Sequence, residues 1–130
     1  MEHGWSRGAQ PPVDMALGLG RARGREALYR TLLGLFVEHH GASARHIREA
    51  LARGEADAAS RLAHALKGSS AQVGALHVEA HAAQVEQQLR QGVTAHPLEP
   101  LLQSLEDALN QAVGWLRQRD GANDFLGPNR

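Results

Sequence analysis

One histidine of the sequence has a basic residue one helical turn away on either side. His64 is preceded by Arg61 at position −3 and followed by Lys67 and Gly68 at positions +3 and +4. Residues three or four apart are neighbours on an α-helix, so both cations are within reach of the imidazole. A neutral imidazole has a nitrogen with a free lone pair, and nearby cations stabilise a phosphoryl group. The spacing is compatible with a phosphorylated histidine, but an exposed histidine on an ordinary solvated helix face explains the same residues.

A helical wheel at about 100° per residue predicts that His64 points to solvent. The residues predicted to lie opposite it, towards the core, are Leu62, Leu66, Ser69 and Val73. Those predicted to share its exposed side are Asp57, Ser60, Arg61, Lys67, Gly68 and Ala71. An exposed glycine inside a helix costs about 1 kcal/mol relative to alanine. Space beside the imidazole for a partner protein would explain Gly68, and Ser60, Arg61 and Ala71 are then candidates for contacting that partner.

Periodic apolar residues predict four long helical segments, preceded by a short one near residues 14–19. The first long segment follows Gly24 and runs to Gly54, with Gly41 as an interruption. Its predicted apolar stripe consists of Leu28, Leu32, Leu35, Phe36, Ile47 and Leu51. The other segments cover about residues 55–73 and 76–92, and then run from Pro97 to an end at Gly121.

Short connections between long amphipathic helices favour antiparallel neighbours. The predicted fold is therefore all-α, an antiparallel up-down-up-down four-helix bundle with a short extra N-terminal helix. Residues 1–12 contain Pro11 and Pro12 without periodicity, and we expect them to form a linker. We expect the bundle to occupy residues 13–120, and residues 121–130 to form a C-terminal tail.

Composition excludes several classes of function. The 130 residues suit one domain, and 14 basic residues balance 14 acidic ones, so no overall field attracts nucleic acid or anionic lipid. The absence of cysteine excludes disulfides and thiolate metal sites. No apolar run approaches the length of about 20 residues that a membrane span needs. We expect no direct membrane contact and a cytoplasmic location, which is compatible with a parent protein that is anchored in a membrane.

The residues around His64 resemble the signature of histidine-containing phosphotransfer (HPt) domains. The run His-Ala-Leu-Lys-Gly-Ser-Ser over residues 64–70, followed by Val73 and Gly74, matches a phosphorylated histidine, lysine at +3, glycine at +4, small residues next and glycine at +10. Residues 13–19 and 28–36, with Gly24 between them, resemble the opening helices of the family. The likeness spans residues 13–118 and suits the C-terminal HPt module of tripartite hybrid sensor histidine kinases.

This resemblance implies a phosphorelay intermediate and not an enzyme. A receiver-domain phosphoaspartate would donate its phosphoryl group to His64, at Nε2, and the aspartate of a second receiver would take it away. The resemblance implies phosphate support from Lys67 and clearance at Gly68. It also implies supporting roles for three further residues, Ser69, Ser70 and Gly74. The Mg²⁺ ion is expected on the partner receiver domain, so no cofactor or metal is expected on this chain, which is expected to be a monomer.

Three alternatives remain open at this point. A helical adaptor of the same fold would bind receivers without being phosphorylated. The dimerisation region of a histidine kinase has an acidic residue after its histidine and a proline soon afterwards, whereas Ala65 follows here and no proline occurs before Pro97. A metal-dependent hydrolase could use His77 and His81, which are four residues apart, but convincing carboxylate partners are lacking.

Overall fold

The structure is a computed structural model that describes residues 11–94 and 96–123, and side chains as far as residue 119. Over these residues the chain is helical, with no strand. The helices are α1 (Met15–Arg21), α2 (Glu26–His40), α3 (Ser43–Ala52), α4 (Ala56–Val73), α5 (Leu76–Arg90) and α6 (Glu99–Asn123), with a 3₁₀ turn at His96–Leu98 before α6. The predicted all-α bundle with a short N-terminal helix is confirmed.

The first long segment is two helices instead of one. Helix α2 ends at His40 and α3 begins at Ser43, so the interruption covers Gly41 and Ala42. Helices α2 and α3 both pack against α4 and, together, make the first arm of the bundle. The predicted interruption at Gly41 is therefore a true break between helices.

The bundle core lies between α4, α5, α6 and the inner faces of α2 and α3. Helix α4 buries Ala59, Ala63, Leu66, Ser70 and Val73. Helix α5 buries Val78, Ala82, Val85, Glu86 and Leu89. The alanines on the facing sides of α4 and α5 are small, so the two backbones can pack closely. The close approach of α4 and α5 positions the functional site described below.

The buried face of α2 differs from the predicted stripe. Phe36 is buried as predicted, but Leu28 is 38% exposed and Leu35 is 41% exposed, whereas Tyr29 and Leu33 are buried in their place. Both sets of residues have helical spacing, so periodicity alone does not distinguish two adjacent faces of one helix. The choice depends on packing, since the Tyr29 hydroxyl donates a hydrogen bond of 2.7 Å to the carbonyl oxygen of Val73 at the end of α4.

Helix α1 is anchored on the C-terminal end of α4. The Asp14 carboxylate caps α1 by accepting a hydrogen bond from the Leu17 amide, and the Asp14 amide donates to the Gly74 carbonyl at 2.8 Å. Gly74 ends α4 with φ of 90°, a left-handed conformation that favours glycine. Gly18 lies against the Val73 carbonyl and the Tyr29 ring, so α1 packs too closely for a side chain there.

Helix α6 passes through Gly121 and ends at Asn123, so its predicted end at Gly121 is wrong. A glycine near the end of a helix lowers its stability by about 1 kcal/mol without forcing it to stop. Residues 1–10 of the expected linker and residues 124–130 of the expected tail lie outside the described residues. None of the helices in the described ranges combines the length and apolar character required to cross a membrane.

Candidate functional site

His64 lies near the middle of α4 with its side chain 63% exposed, as the helical wheel predicted. Its Nδ1 atom is 2.8 Å from Oε2 of Glu86 on α5. The close packing of α4 against α5 brings these two side chains together although 22 residues separate them in the chain. The imidazole is therefore held at one nitrogen and open to solvent elsewhere.

Glu86 is the buried centre of the site. Its side chain is only 4% exposed, and its Oε1 atom accepts a hydrogen bond of 2.8 Å from Nζ of Lys67. Its Oε2 atom accepts from His64 Nδ1 and also from Nη2 of Arg90, one turn further along α5, at 2.8 Å. Burial of a carboxylate is unfavourable unless charge partners compensate, and here three donors do so.

These partners keep Glu86 ionised. The hydrogen bond from Lys67 is the largest cause that holds the pKa of the Glu86 carboxyl below its ordinary value, and the hydrogen bond from His64 and the positive charge of Arg90 act in the same direction. Burial acts in the opposite direction but does not prevail. Glu86 is consequently an anion at neutral pH.

An ionised carboxylate only accepts hydrogen bonds, and this determines the proton position on His64. The bond to Glu86 requires a proton on Nδ1, so the lone pair of the neutral ring is on Nε2. Nε2 has no hydrogen-bond partner in the part of the chain that the structure describes. The geometry thus presents one nitrogen of His64 as a nucleophile facing solvent.

Lys67 and Gly68 flank His64 as the sequence suggested. The Lys67 side chain is 35% exposed, and its ammonium group contacts Glu86, so this cation is not simply a solvated neighbour of the ring. Gly68 is exposed, and a Cβ atom added to it would meet no atom within 4 Å. The fold therefore does not require glycine at position 68, and the open space there is available to another molecule.

Ser69, Ser70 and Gly74 have structural contacts within α4 or with the helices next to it. Ser69 Oγ is 3.0 Å from Nε2 of His40 on α2, and the buried Ser70 hydroxyl donates to the Leu66 carbonyl at 2.7 Å. Gly74 receives α1, as described above. Ser69 and Gly74 thus link α4 to its neighbours, the hydrogen bond of Ser70 stays within α4, and none of the three residues forms a hydrogen bond with His64.

Sequence analysis assigned no structural role to His40. Its Nδ1 atom is 3.0 Å from Ser43 Oγ, so the ring joins α2, α3 and α4 through two hydroxyl groups. Burial is the main cause that lowers the pKa of His40 from its ordinary value, and the charge of His39 adds to the effect. A neutral His40 is therefore part of the packed structure.

The remaining predicted residues lie along the same helix. Ser60 and Ala71 are half-buried, while Arg61 is exposed and forms no ion pair with any described residue. The Arg21 guanidinium of α1 donates to the Ala71 carbonyl, which adds a cation that sequence analysis did not place here. Of the two basic residues that lie one turn from His64 on α4, Lys67 contacts the Glu86 carboxylate and Arg61 does not.

Sequence analysis also missed Glu86 and Arg90. Glu86 is four residues after Ala82, in a stripe that also contains Val78, Val85 and Leu89. A charged residue at an inward position of an apolar stripe was the available signal, because such a charge needs buried partners. Arg90 follows Glu86 by four residues, the spacing of a helical ion pair.

No metal centre accompanies this arrangement in the described ranges. Among those residues, no group of three or more His, Cys, Asp or Glu side chains is placed to hold a metal ion. His77 is exposed and His81 is half-buried on α5, so the pair has no third ligand among these residue types.

Comparison with known proteins identifies a matching family model and a similar solved structure. The family model of the Hpt domain matches residues 31–115, a span that includes His64, Lys67 and Glu86. The crystal structure of the HPT domain from the Hpt sensor hybrid histidine kinase of Shewanella aligns with a TM-score of 0.76 and 20% sequence identity. The alignment covers 85% of this chain and 95% of that one, and the likeness shows a shared fold. The search of curated proteins found no match.

Proposed function

The chain belongs to the Hpt domain family, and on that premise we propose that His64 is the phosphorylated residue of a receiver-to-receiver phosphorelay. Hpt domains are phosphocarrier modules of two-component signalling and are not themselves catalytic enzymes. In the proposed relay, His64 accepts a phosphoryl group from the aspartate of one receiver domain and passes it to the aspartate of another. The observation that supports this most is the exposed His64 ring, whose Nδ1 is held by Glu86.

The proposed transfer uses Nε2 as the nucleophile. Its lone pair attacks the phosphorus of the receiver acyl phosphate, a phosphorus–nitrogen bond forms, and the phosphorus–oxygen bond to the aspartate breaks. The receiver carboxylate is regenerated, and the proton on Nδ1 of His64 stays in place. The ring gains positive charge during the attack, and the Glu86 carboxylate stabilises this charge. Attack by the carboxylate of a second receiver on the same phosphorus reverses these steps.

Surrounding charges favour a phosphorylated ring. A phosphoryl group carries nearly two negative charges, and the cations Lys67 and Arg90 both contact Glu86, the hydrogen-bond partner of His64. Lys67 is the residue proposed to support the phosphate, since it follows His64 by one turn on the same helix. The Mg²⁺ ion that phosphoryl transfer from an acyl phosphate uses is proposed to come with the receiver domain.

The proposed receiver-docking surface surrounds His64 on α4. It comprises Ser60, Arg61, Gly68 and Ala71. Open space above Gly68 admits the receiver to the imidazole. We also propose that the protein acts in the cytoplasm, as a free-standing module or as the end of a larger sensor kinase.

Labelling with phosphorylated receivers tests the function. A panel of receiver domains is phosphorylated with a small acyl phosphate, and each is incubated with the wild type, His64→Gln or His77→Gln. Label should appear on the wild type and on His77→Gln. His77→Gln is the control, because His77 is also an exposed histidine and lies on α5. It should be absent from His64→Gln, and it should be labile in acid and stable in base, as a phosphorus–nitrogen bond is.

The His64→Gln protein should stay folded and lose at most about 1 kcal/mol of stability, because the buried Glu86 carboxylate loses one donor and keeps Lys67 and Arg90. Full labelling of His64→Gln would show that another residue is phosphorylated. Receivers that bind the wild type without ever transferring label would instead support the adaptor alternative.

A further inference from the structure

We propose that three arginines at the junction of α1 and α2 form an electrostatic docking patch for receivers whose surface beside the phosphorylated aspartate is acidic. We call these residues, Arg21, Arg23 and Arg25, the arginine loop. The inference rests on the proposed function, because the partner that meets the arginine loop is the receiver that has docked over His64. The arginine loop takes no part in the transfer of the phosphoryl group itself.

The arginine loop lies on the same side of α4 as His64. The Arg21 guanidinium donates a hydrogen bond to the Ala71 carbonyl. Ala71 follows His64 by seven residues, which is two turns or about 10 Å along the helix axis. A small domain is about 30 Å across, so a receiver that covers His64 extends as far as the arginine loop.

The three guanidinium groups are a local excess of positive charge on a chain without net charge. All three residues are exposed, and none of them forms an ion pair with a described residue. The acidic residues nearest in sequence have other partners, since Asp14 caps α1 and Glu26 lies 3.8 Å from Arg30. Such unpaired charge attracts a partner surface of the opposite sign and raises both the association rate and the specificity of docking.

The backbone of the arginine loop is held in place, so its side chains have a defined arrangement. Ala22 is buried between Arg21 and Arg23, and the amides of Arg23 and Gly24 donate to carbonyl oxygens of α1. Arg23 has φ of 61°, a left-handed conformation that glycine adopts more easily than arginine does. An arginine in this conformation and without an ion pair contributes little to the fold, which favours a role in binding.

An acidic protein surface fits the arginine loop better than a lipid bilayer does. Stable association with a bilayer surface needs a helix with a substantial apolar face that can enter the lipid. Helix α1 has only seven residues, and Gly18 at its centre packs against α4. Guanidinium groups pair with carboxylates through two parallel hydrogen bonds, so acidic side chains of a receiver are suitable partners.

The rate of phosphoryl transfer at two ionic strengths tests the inference. The probe is the receiver that labels the wild type fastest, used well below saturation so that association contributes to the rate. Replacement of all three residues by glutamine should slow transfer by about tenfold at about 10 mM salt, the lower end of electrostatic steering effects. The difference should disappear at about 1 M salt, where the Debye length is about 3 Å.

Two further triple variants are the controls. Lysine at the three positions of the arginine loop keeps the charge and should keep both the transfer rate and its dependence on salt. Glutamine at Arg45, Arg117 and Arg119 removes the same net charge from exposed positions on α3 and α6, and transfer should stay close to the wild-type rate. Circular dichroism should show the same helix content in all of these variants.

A double variant separates charge from the position of α1. Arg23→Gln combined with Arg25→Gln keeps the hydrogen bond from Arg21 to Ala71, so α1 stays in place. Transfer should still be slower than in the wild type at low salt. Across a panel of receivers, the slowing should increase with the number of acidic residues on the surface around the phosphorylated aspartate.

The outcomes separate this inference from the proposed function. A receiver that labels the wild type and the glutamine variant of the arginine loop at the same rate and with the same salt dependence would overturn the inference alone. Equal slowing in both glutamine triple variants would show a general charge effect and would also overturn it. Binding of the wild type to phosphatidylserine vesicles, lost in the glutamine variant while transfer is unchanged, would assign the arginine loop to a membrane instead. Absence of label on the wild type with every receiver would overturn the proposed function and this inference with it.

Discussion

Each residue of the site has a separate physical task. His64 is the exposed residue proposed as the nucleophile, Glu86 is the buried anion that fixes its tautomer, and Lys67 is a cation that compensates the burial of Glu86. Gly68 contributes the absence of a side chain. Because these tasks differ, substitutions at neighbouring positions of α4 should produce different defects.

Gly68→Gln should fold well and dock poorly. Position 68 has open space for a Cβ atom, and removing a mid-helix glycine raises helix stability by up to about 1 kcal/mol. The new side chain occupies the space beside His64, so receiver affinity should fall by about tenfold or more, equivalent to about 1.4 kcal/mol. Gly114→Gln is the matched control, since Gly114 is also a helical glycine with nothing within 4 Å, on α6. Calorimetric titration with an unphosphorylated receiver measures both affinities, and equal affinities would refute the clearance argument.

Lys67→Ala should dock and transfer slowly. It leaves the space at Gly68 open but removes the only donor to Oε1 of Glu86 among the described residues. We expect a loss of stability of about 1 kcal/mol, because a buried carboxylate loses one partner while two remain. Transfer from a phosphorylated receiver should slow by about tenfold. High salt should reduce the difference in transfer rate between Lys67→Ala and the wild type. Rapid-quench measurement of transfer decides this, and a mutant that transfers at the wild-type rate would contradict the role of Lys67.

At the level of helices, the site depends on the placement of α4, whose C-terminal end is covered by α1 and α2. Tyr29 of α2 and Gly18 of α1 both meet the Val73 carbonyl. This junction is remote from His64 and does not contain any residue of the phosphotransfer chemistry. Substitutions there should change stability without changing the chemistry.

Gly18→Ala should destabilise the bundle. A Cβ atom at position 18 would collide with the Val73 carbonyl and the Tyr29 ring, so α1 must shift away. Such overpacking costs about 1–3 kcal/mol. Gly20→Ala is the matched control on the same helix, because nothing lies within 4 Å of its Cβ position, and it should be neutral or stabilising by up to about 1 kcal/mol. Urea unfolding of the two variants tests the comparison, and equal midpoints would show that α1 is not packed as described.

Tyr29 should make the bundle sensitive to alkali. Burial, with a smaller effect from the Asp14 charge, raises the pKa of Tyr29 from 10.0 to about 12. Because the pKa is higher in the folded state, the contribution of Tyr29 to stability is fully present below pH 10 and is lost as the pH rises towards 12. The loss should be of the order of 2 kcal/mol, and Tyr29→Phe should remove this part of the dependence. The free energy of unfolding, measured between pH 9 and about 12, checks this prediction. The same dependence of that free energy on pH in the wild type and in Tyr29→Phe would contradict it.

At the scale of the whole molecule, one chain closes its own bundle. Helices α3, α4, α5 and α6 bury their apolar faces against one another, and the overall charge is zero at pH 7. The chain as a whole therefore has no net charge with which to attract a partner. The helices thus present His64 on a surface that one chain completes by itself.

The protein should accordingly be a monomer of about 14.0 kDa in solution. Phosphotransfer through one exposed His64 needs no second copy. Light scattering coupled to size-exclusion chromatography measures the mass directly. A stable dimer with helices shared between chains would instead favour the dimerisation region of a histidine kinase.

Local physics explains what could be predicted from the sequence. Helix periodicity located α4 and α5 to within about two residues and turned His64 towards solvent, because each depends only on residues a few positions apart. Gly68 and Lys67 were found for the same reason, since they lie on the same helix as His64. The resemblance to HPt domains followed from that one contiguous motif.

Only the tertiary structure decided which faces and which distant side chains meet. Periodicity on α2 fits both Leu28 with Leu35 and Tyr29 with Leu33 as neighbours of the predicted Phe36, and the packing of the helices buries Tyr29 and Leu33. Glu86 reaches His64 across two helices, and Arg90 reaches the same oxygen one turn further along α5. No rule of local spacing relates residues 22 positions apart, so the proton position on His64 is a consequence of how α4 and α5 pack.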